Sequence, residues 1–180
     1  MGLSRNRHFI LIRRRLALIA VAVFAIVAPR DIHAANTPQV TLNVSKATPR
    51  PVEELTEKSI LRDYKFAWTN LALAFESSST GPLNGLFTGN ASAWLNDAVK
   101  SQKRNGLTGR YLNQSHKVDA VFYAPEGDVI ELHDTAEYDF QMLDGSKTIH
   151  QEHAVVRYVV LMTPGMDRWV VRQLQAVPQF

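Results

Sequence analysis

The sequence predicts an α+β fold: N-terminal helices packed on a curved four-stranded antiparallel sheet. Two observations carry this. Between Val52 and Asn105 apolar residues recur at spacings of three and four, the period of an amphipathic helix. After Gly109 the period switches to two, and the turn signals Pro125-Glu126-Gly127, Asp144-Gly145 and Pro164-Gly165 divide the C-terminal part of the chain into strand-length runs. Helices first and then an antiparallel meander is a two-layer α+β arrangement.

Taken in order, the chain of 180 residues opens with Arg5, Arg7 and Arg13-Arg14-Arg15, followed by the uncharged apolar run Leu16–Ala28 and then Pro29-Arg30-Asp31. A helix of that length covers about 20 Å, short of the roughly 30 Å hydrocarbon core of a bilayer. Residues 1–34 therefore read as a secretory signal, with cleavage expected after Ala34 or Ala35. The alternative is an uncleaved signal anchor in which Phe9–Ile12 extends the apolar block; the arginine triplet between the two blocks opposes it. In both cases the body is exported: periplasmic, extracellular or anchored to the inner membrane. Residues 35–51, rich in Thr, Pro, Ser and Asn, read as a tether, with Val40–Val44 as a candidate short strand inside it, and residues 52–180 as one domain.

Charge and composition then exclude some functions. The formal net charge is +3, but six of the twenty lysines and arginines and one of the seventeen acids precede Ala35. Fourteen cations against sixteen anions leave the remainder at −2. That is no basis for a nucleic-acid partner. With no cysteine there is no disulfide, thiolate ligand or thiol nucleophile, so the domain rests on its core.

The first helix follows Pro51, with Glu53 and Glu54 near its positive end and an apolar stripe through Ile60, Tyr64, Trp68, Leu71 and Phe75. Ser77–Gly81 stops it, and Pro82–Phe87 suits a single turn. Ala91–Asn105 is the second helix, with Trp94 expected in the core beside Ala93 and Ala98 and Gly106 as its C-cap. Lys100, Lys103 and Arg104 fall in its last turns, where cations suit the helix dipole. Strands are expected at His116–Tyr123, Asp128–Leu143, Thr148–Met162 and Trp169–Ala176. Gly81, Gly85 and Gly89 lie four apart behind a helix with no Lys-Ser/Thr pair after them, which does not make a phosphate loop.

From Val52 to Val177 this layout resembles the nuclear-transport-factor-2-like superfamily, a cone-shaped α+β fold. The nearest pattern is the intermembrane-space domain of plastid and cyanobacterial division proteins. The resemblance rests on Leu86-Phe87-Thr88-Gly89, Trp94, the basic run Lys100–Arg104, Gly106, Val156-Arg157-Tyr158-Val159-Val160 and Arg168-Trp169-Val170-Val171. Asn113-Gln114-Ser115-His116 stands where those proteins have an aromatic-rich segment, and a division role is not carried over. The resemblance implies a protein-binding module, while isomerase and cyclase cousins keep a pocket inside the cone.

Alternation places Asp134 on the same face as Ile130, Leu132, Ala136 and Tyr138, and places His150 and Glu152 with Val156, Tyr158 and Val160. A carboxylate on an inner face is costly unless it is paired or hydrated. Asp134 is therefore the candidate general base, with Tyr64 or Tyr158 as oxyanion donors. Tyr64, Trp68, His150, Glu152 and Tyr158 are the candidate ligand-binding residues. The competing reading puts Asp134 and Glu152 at the wet rim, or pairs them with Arg157 or Arg172. Metal binding is not expected, because His150 and His153 face opposite sides of one strand; His133 and His153 could pair across strands on the solvent face. No cofactor is expected.

The first functional expectation is a binding or scaffolding domain of the cell envelope. Its partner would be a protein or a small apolar ligand, with homodimerisation through the sheet as a further expectation. The alternatives are a small-molecule isomerase or cyclase using Asp134, and a component of an envelope assembly or secretion complex.

Overall fold

The computed structural model describes residues 37–180; the expected signal or anchor segment lies outside the described residues. Two short strands come first, β1 (Gln39–Asn43) and β2 (Thr48–Pro49), then helix α1 (Glu54–Ser77) and a 3-10 turn (Gly81–Leu83). Helix α2 (Gly89–Arg104) and strands β3 (Leu107–Tyr123), β4 (Ile130–Asp144), β5 (Lys147–Pro164) and β6 (Trp169–Val177) complete the chain. The fold is α+β, and β3 to β6 form the expected antiparallel meander.

The sheet nevertheless has six strands rather than four, because β1 and β2 both join the edge of β3, in parallel. Residues 39–49, expected to be tether, are thus part of the sheet. Val40 and Leu42 point inward and pack on the core, while Gln39, Thr41 and Asn43 stay exposed. The candidate strand at Val40–Val44 is present as β1, one residue earlier, but a five-residue alternation in a Thr- and Pro-rich stretch does not by itself tell a strand from a tether. Its partner, Ser115–Asp119, is also some 75 positions away, beyond any local pattern.

Strand β3 begins nine residues before the expected His116. The register against β4 shifts between Leu112 and Ser115, and Asn113 there takes φ +54°. Such a bulge breaks the period of two, so the first half of β3 does not read as a strand.

Helix α1 buries Ile60, Tyr64, Ala67, Trp68, Leu71 and Ala74. Glu54 and Glu57 lie in its first turn, and Ser78 ends it in the left-handed conformation. Helix α2 buries Ala91, Leu95 and Val99, a stripe of spacing four, with Lys103 and Arg104 in the last turn. Trp94 lies off that stripe. It is 43% exposed rather than core, and its indole N–H donates to the Leu174 carbonyl at 3.2 Å.

The stretch Leu86–Gly89 owes its residues to a close approach to β6. The Thr88 N–H donates to the Val171 carbonyl, and the Val171 N–H to that of Leu86, both at 2.9 Å. Gly89 follows at φ +53°, where a Cβ would stand 3.2 Å from the Arg172 carbonyl oxygen. Only glycine meets both demands. Both helices thus lie on one face of the sheet, α1 against β1, β3 and β6, and α2 against β3 and β6.

Candidate functional site

On the helix-covered face of β4, Ile130, Leu132, Asp134, Ala136 and Tyr138 are all buried, as their alternation requires. Asp134 is 0% exposed, which excludes the rim. Two groups converge on its Oδ2: the Tyr64 hydroxyl from α1 donates at 2.7 Å, and Nδ1 of His116 from β3 lies at 2.8 Å. Trp68, one helical turn after Tyr64, covers His116 with ring centroids 4.4 Å apart. Tyr158, opposite Asp134 on β5, reaches Trp68 at 5.6 Å, and its hydroxyl meets that of Tyr138 at 3.2 Å.

This interior holds its tyrosines protonated. Burial pushes the Tyr64 hydroxyl well above its ordinary range, and the neighbouring Asp134 adds to the effect. Tyr158 and Tyr138 are raised chiefly by burial as well. Asp134 Oδ1, His116 Nε2 and both amide atoms of Gln114 are buried without a protein hydrogen-bond partner among the described residues. A polar layer thus runs through the core between α1 and the sheet. Beside it, the space among Val40, Leu42, Ile60, Tyr64, Val118 and Leu132 leaves no room for even a water-sized molecule.

Of the six candidate residues, Tyr64, Trp68, Asp134 and Tyr158 come together, but His150 and Glu152 do not. They stand opposite Met142 and Phe140, six to eight residues further along the sheet. At about 3.4 Å per residue that is roughly 20 Å or more. There they pair with each other at 3.5 Å, half exposed. They do share a face with Tyr158, but a strand of eighteen residues reaches past the helices, so one face is buried at one end and wet at the other. Nor do His133 and His153 meet: His133 stands opposite Val159 and stacks on Phe180 at 4.5 Å, while His153 stands opposite Asp139. Arg157 donates to the Pro178 carbonyl rather than to Asp134.

The site residue that the sequence does not single out is His116. A signal is present, since His116, Val118 and Ala120 alternate inward on β3 and pair with Ala136, Asp134 and Leu132. Asp63, 3% exposed, is a second. Its Oδ2 accepts the backbone N–H of Trp169 at 2.8 Å, and its carboxylate is held by Arg62 on both oxygens.

Asp63 forms one wall of an open cleft of about 600 Å³ between the outer side of α1 and the β5–β6 turn. Phe66 and Thr69 supply its less polar lining, and Arg62, Lys65, Asp167 and Arg168 its charges. The Arg168 guanidinium lies over the Phe66 ring at 5.4 Å and is bound to Asp167, which lies below the usual carboxylate range because of that bond. Met166, at the tip of the turn, is fully exposed.

Among the described residues no helix is long and apolar enough to cross a membrane. No protein-family profile matches the chain, and no curated protein matches it in sequence. Among solved structures it is similar to the intermembrane space region of the chloroplast protein ARC6, at 14% identity and a TM-score of 0.52. The likeness covers 72% of this chain and 98% of that one. At that identity it establishes a distant relation of fold, and nothing more.

Proposed function

We propose that this chain is a non-catalytic binding or scaffolding domain of the cell envelope, exported or membrane-tethered through residues 1–34. The observation that carries the reading is the closure of the interior around Asp134. The carboxylate is 0% exposed and bonded to Tyr64 and His116, so no substrate reaches it without unpacking Trp68 and Tyr64. What remains open is the cleft beside Phe66 and Arg168, whose apolar floor and fixed guanidiniums suit a protein segment better than reaction chemistry. Likeness to an intermembrane space region supports an envelope setting.

The test is a photo-crosslinking residue at position 66 of the full chain in its native envelope. A discrete protein adduct is expected, lost in Arg168→Glu and retained in Asp134→Asn. Recovery of the chain from the cytosol would overturn the envelope setting. Loss of cellular function in a folded Asp134→Asn variant, with Arg168→Glu unaffected, would favour an isomerase- or cyclase-like enzyme instead.

A further inference from the structure

Strand β5 is eighteen residues long, yet β6 pairs with it only from Arg157 onward. On its other side β4 pairs with it down to Lys147. Lys147–Val156 therefore has one open edge; its first seven residues are all exposed, including Ile149 at 49%, and Val155 follows at 55%. Helix α1 reaches β5 at Tyr158 through Trp68, beyond this stretch, and the exposure of residues 147–153 shows that neither helix covers the edge among the described residues. An open edge of this length offers a row of unpaired N–H and C=O groups to another strand.

We propose that this edge pairs antiparallel with the same edge of a second copy of the chain, across a two-fold axis through Gln151. Directly opposed residues in an antiparallel ladder point to the same face, so the axis must pass through a residue and not between two. Four centres, His150 to His153, pair seven residues or more within the open stretch. One at His150 sets that imidazole against itself and Glu152 against Thr148, so the carboxylate finds no cation. An axis at Glu152 sets that carboxylate against itself, which is destabilising. One at His153 puts Glu152 against Ala154 and His150 against Val156, so no charge finds its opposite. An axis at Gln151 sets amide against amide and places each His150 against Glu152 of the second copy. His150 and Glu152 already lie 3.5 Å apart within one chain, so the two copies close a ring of alternating imidazoles and carboxylates. The register against β4 skips Ile149, so the alternation that this pairing uses is the regular one from His150 onward. The pairing is an isologous contact, in which one patch serves both subunits. It lies on a different part of the chain from the cleft at Phe66, so either reading can fail alone.

The absence of cysteine makes the test clean. In the full chain, Gln151→Cys meets its own copy within disulfide reach, whereas Val155→Cys stands roughly 20 Å or more from its copy. Mild oxidation is expected to give roughly tenfold more covalent dimer from Gln151→Cys than from Val155→Cys. Adding Glu152→Lys to Gln151→Cys should abolish the dimer, and adding His150→Glu as well should restore it. All these positions are exposed, and an unchanged circular-dichroism spectrum confirms that each variant folds. Equal yields at positions 151 and 155, a maximum at position 152, or no rescue by the double swap would each overturn the proposal. So would a strictly monomeric full chain in sedimentation up to millimolar concentration.

Discussion

The Tyr64 hydroxyl donates to Asp134 at 2.7 Å across seventy positions of sequence, joining the middle of α1 to the middle of β4. Both residues are essentially inaccessible, at 1% and 0%. Removing the hydroxyl in Tyr64→Phe leaves a buried carboxylate with one bond fewer and should cost about 1–2 kcal/mol. Asp134→Ala strands both the hydroxyl and Nδ1 of His116 and opens a void, so a loss of about 3 kcal/mol or more is expected. Asp134→Asn keeps an acceptor for Tyr64 and should fall between. Urea midpoints at constant slope measure all three, and a Tyr64→Phe variant as stable as the parent would deny the bond any structural role.

That relationship also shows where local reading succeeds. Asp134 and Tyr64 stand in strong periods, one of two and one near 3.6, and each period continues for several turns or pairs, so their faces are legible. His116 opens an expected strand and alternates inward with Val118 and Ala120, but alternation alone does not say that it meets Asp134, eighteen positions away. Strand β1 is too short for its alternation to tell it from a tether, and the face Trp94 shares with Ala93 and Ala98 is not the buried one, which is Ala91, Leu95 and Val99. His150 and Glu152 fall on the expected face but at the wrong end, since periodicity carries no information about where a covering helix stops. The cleft at Phe66 joins a helix to a turn about a hundred residues later, and no spacing rule reaches that far.

Alkaline pH should unfold the domain abruptly. Burial raises the pKa of Tyr64, Tyr111, Tyr138 and Tyr158 above their ordinary values. An acid whose folded pKa is raised leaves stability intact below its unfolded value, near 10, and withdraws it above that value because the unfolded state alone loses the proton. For Tyr64 the loss is about 1.4 kcal/mol per pH unit. Tyrosinate absorbance at these positions should therefore appear together with loss of circular dichroism. Titration of all of them near pH 10 in a still-folded protein would contradict the burial described.

His153 should titrate above the ordinary histidine value, because Asp139 accepts a hydrogen bond from its Nδ1 at 2.9 Å. Asp139 is itself held low, first by Asn113 and then by His153. The contact is present below the unfolded histidine value and fades as pH rises through the folded one. Proton NMR of the His153 ring measures this directly. Asp139→Asn should move the transition back towards pH 6.5, and an unmoved transition would assign the shift elsewhere.

Two glycines with similar dihedrals should respond differently to alanine. Gly145, at φ +58° in the β4–β5 turn, has nothing within 4 Å of an added Cβ, so Gly145→Ala carries only the strain of a positive φ, about 1 kcal/mol. Gly89, at φ +53°, would bring its Cβ within 3.2 Å of the Arg172 backbone oxygen, next to Val171, which is bonded to both Leu86 and Thr88. Gly89→Ala should therefore cost about twice as much or more. Equal losses in thermal unfolding would mean that the approach of Leu86–Gly89 to β6 is looser than described.

Strand β1 offers the most direct check on the boundary of the domain. Val40 and Leu42 pack on the core, and they help border a space with Ile60, Tyr64, Val118 and Leu132 that leaves no room for a water-sized molecule. Thr41, between them, faces outward and gives only a 3.3 Å bond to the His116 carbonyl. Leu42→Ala should lower stability by about 1–2 kcal/mol, as expected for a half-buried leucine, while Thr41→Ala should lie within about 0.5 kcal/mol of the parent. A chain begun at Val52 loses both apolar side chains and uncovers the edge of β3 above the Asp134 layer. It should be poorly soluble, or unfold at a far lower urea concentration than a chain begun at Thr37. If the two chains unfold at the same midpoint, residues 39–49 are a tether after all, and the sheet needs only its four antiparallel strands.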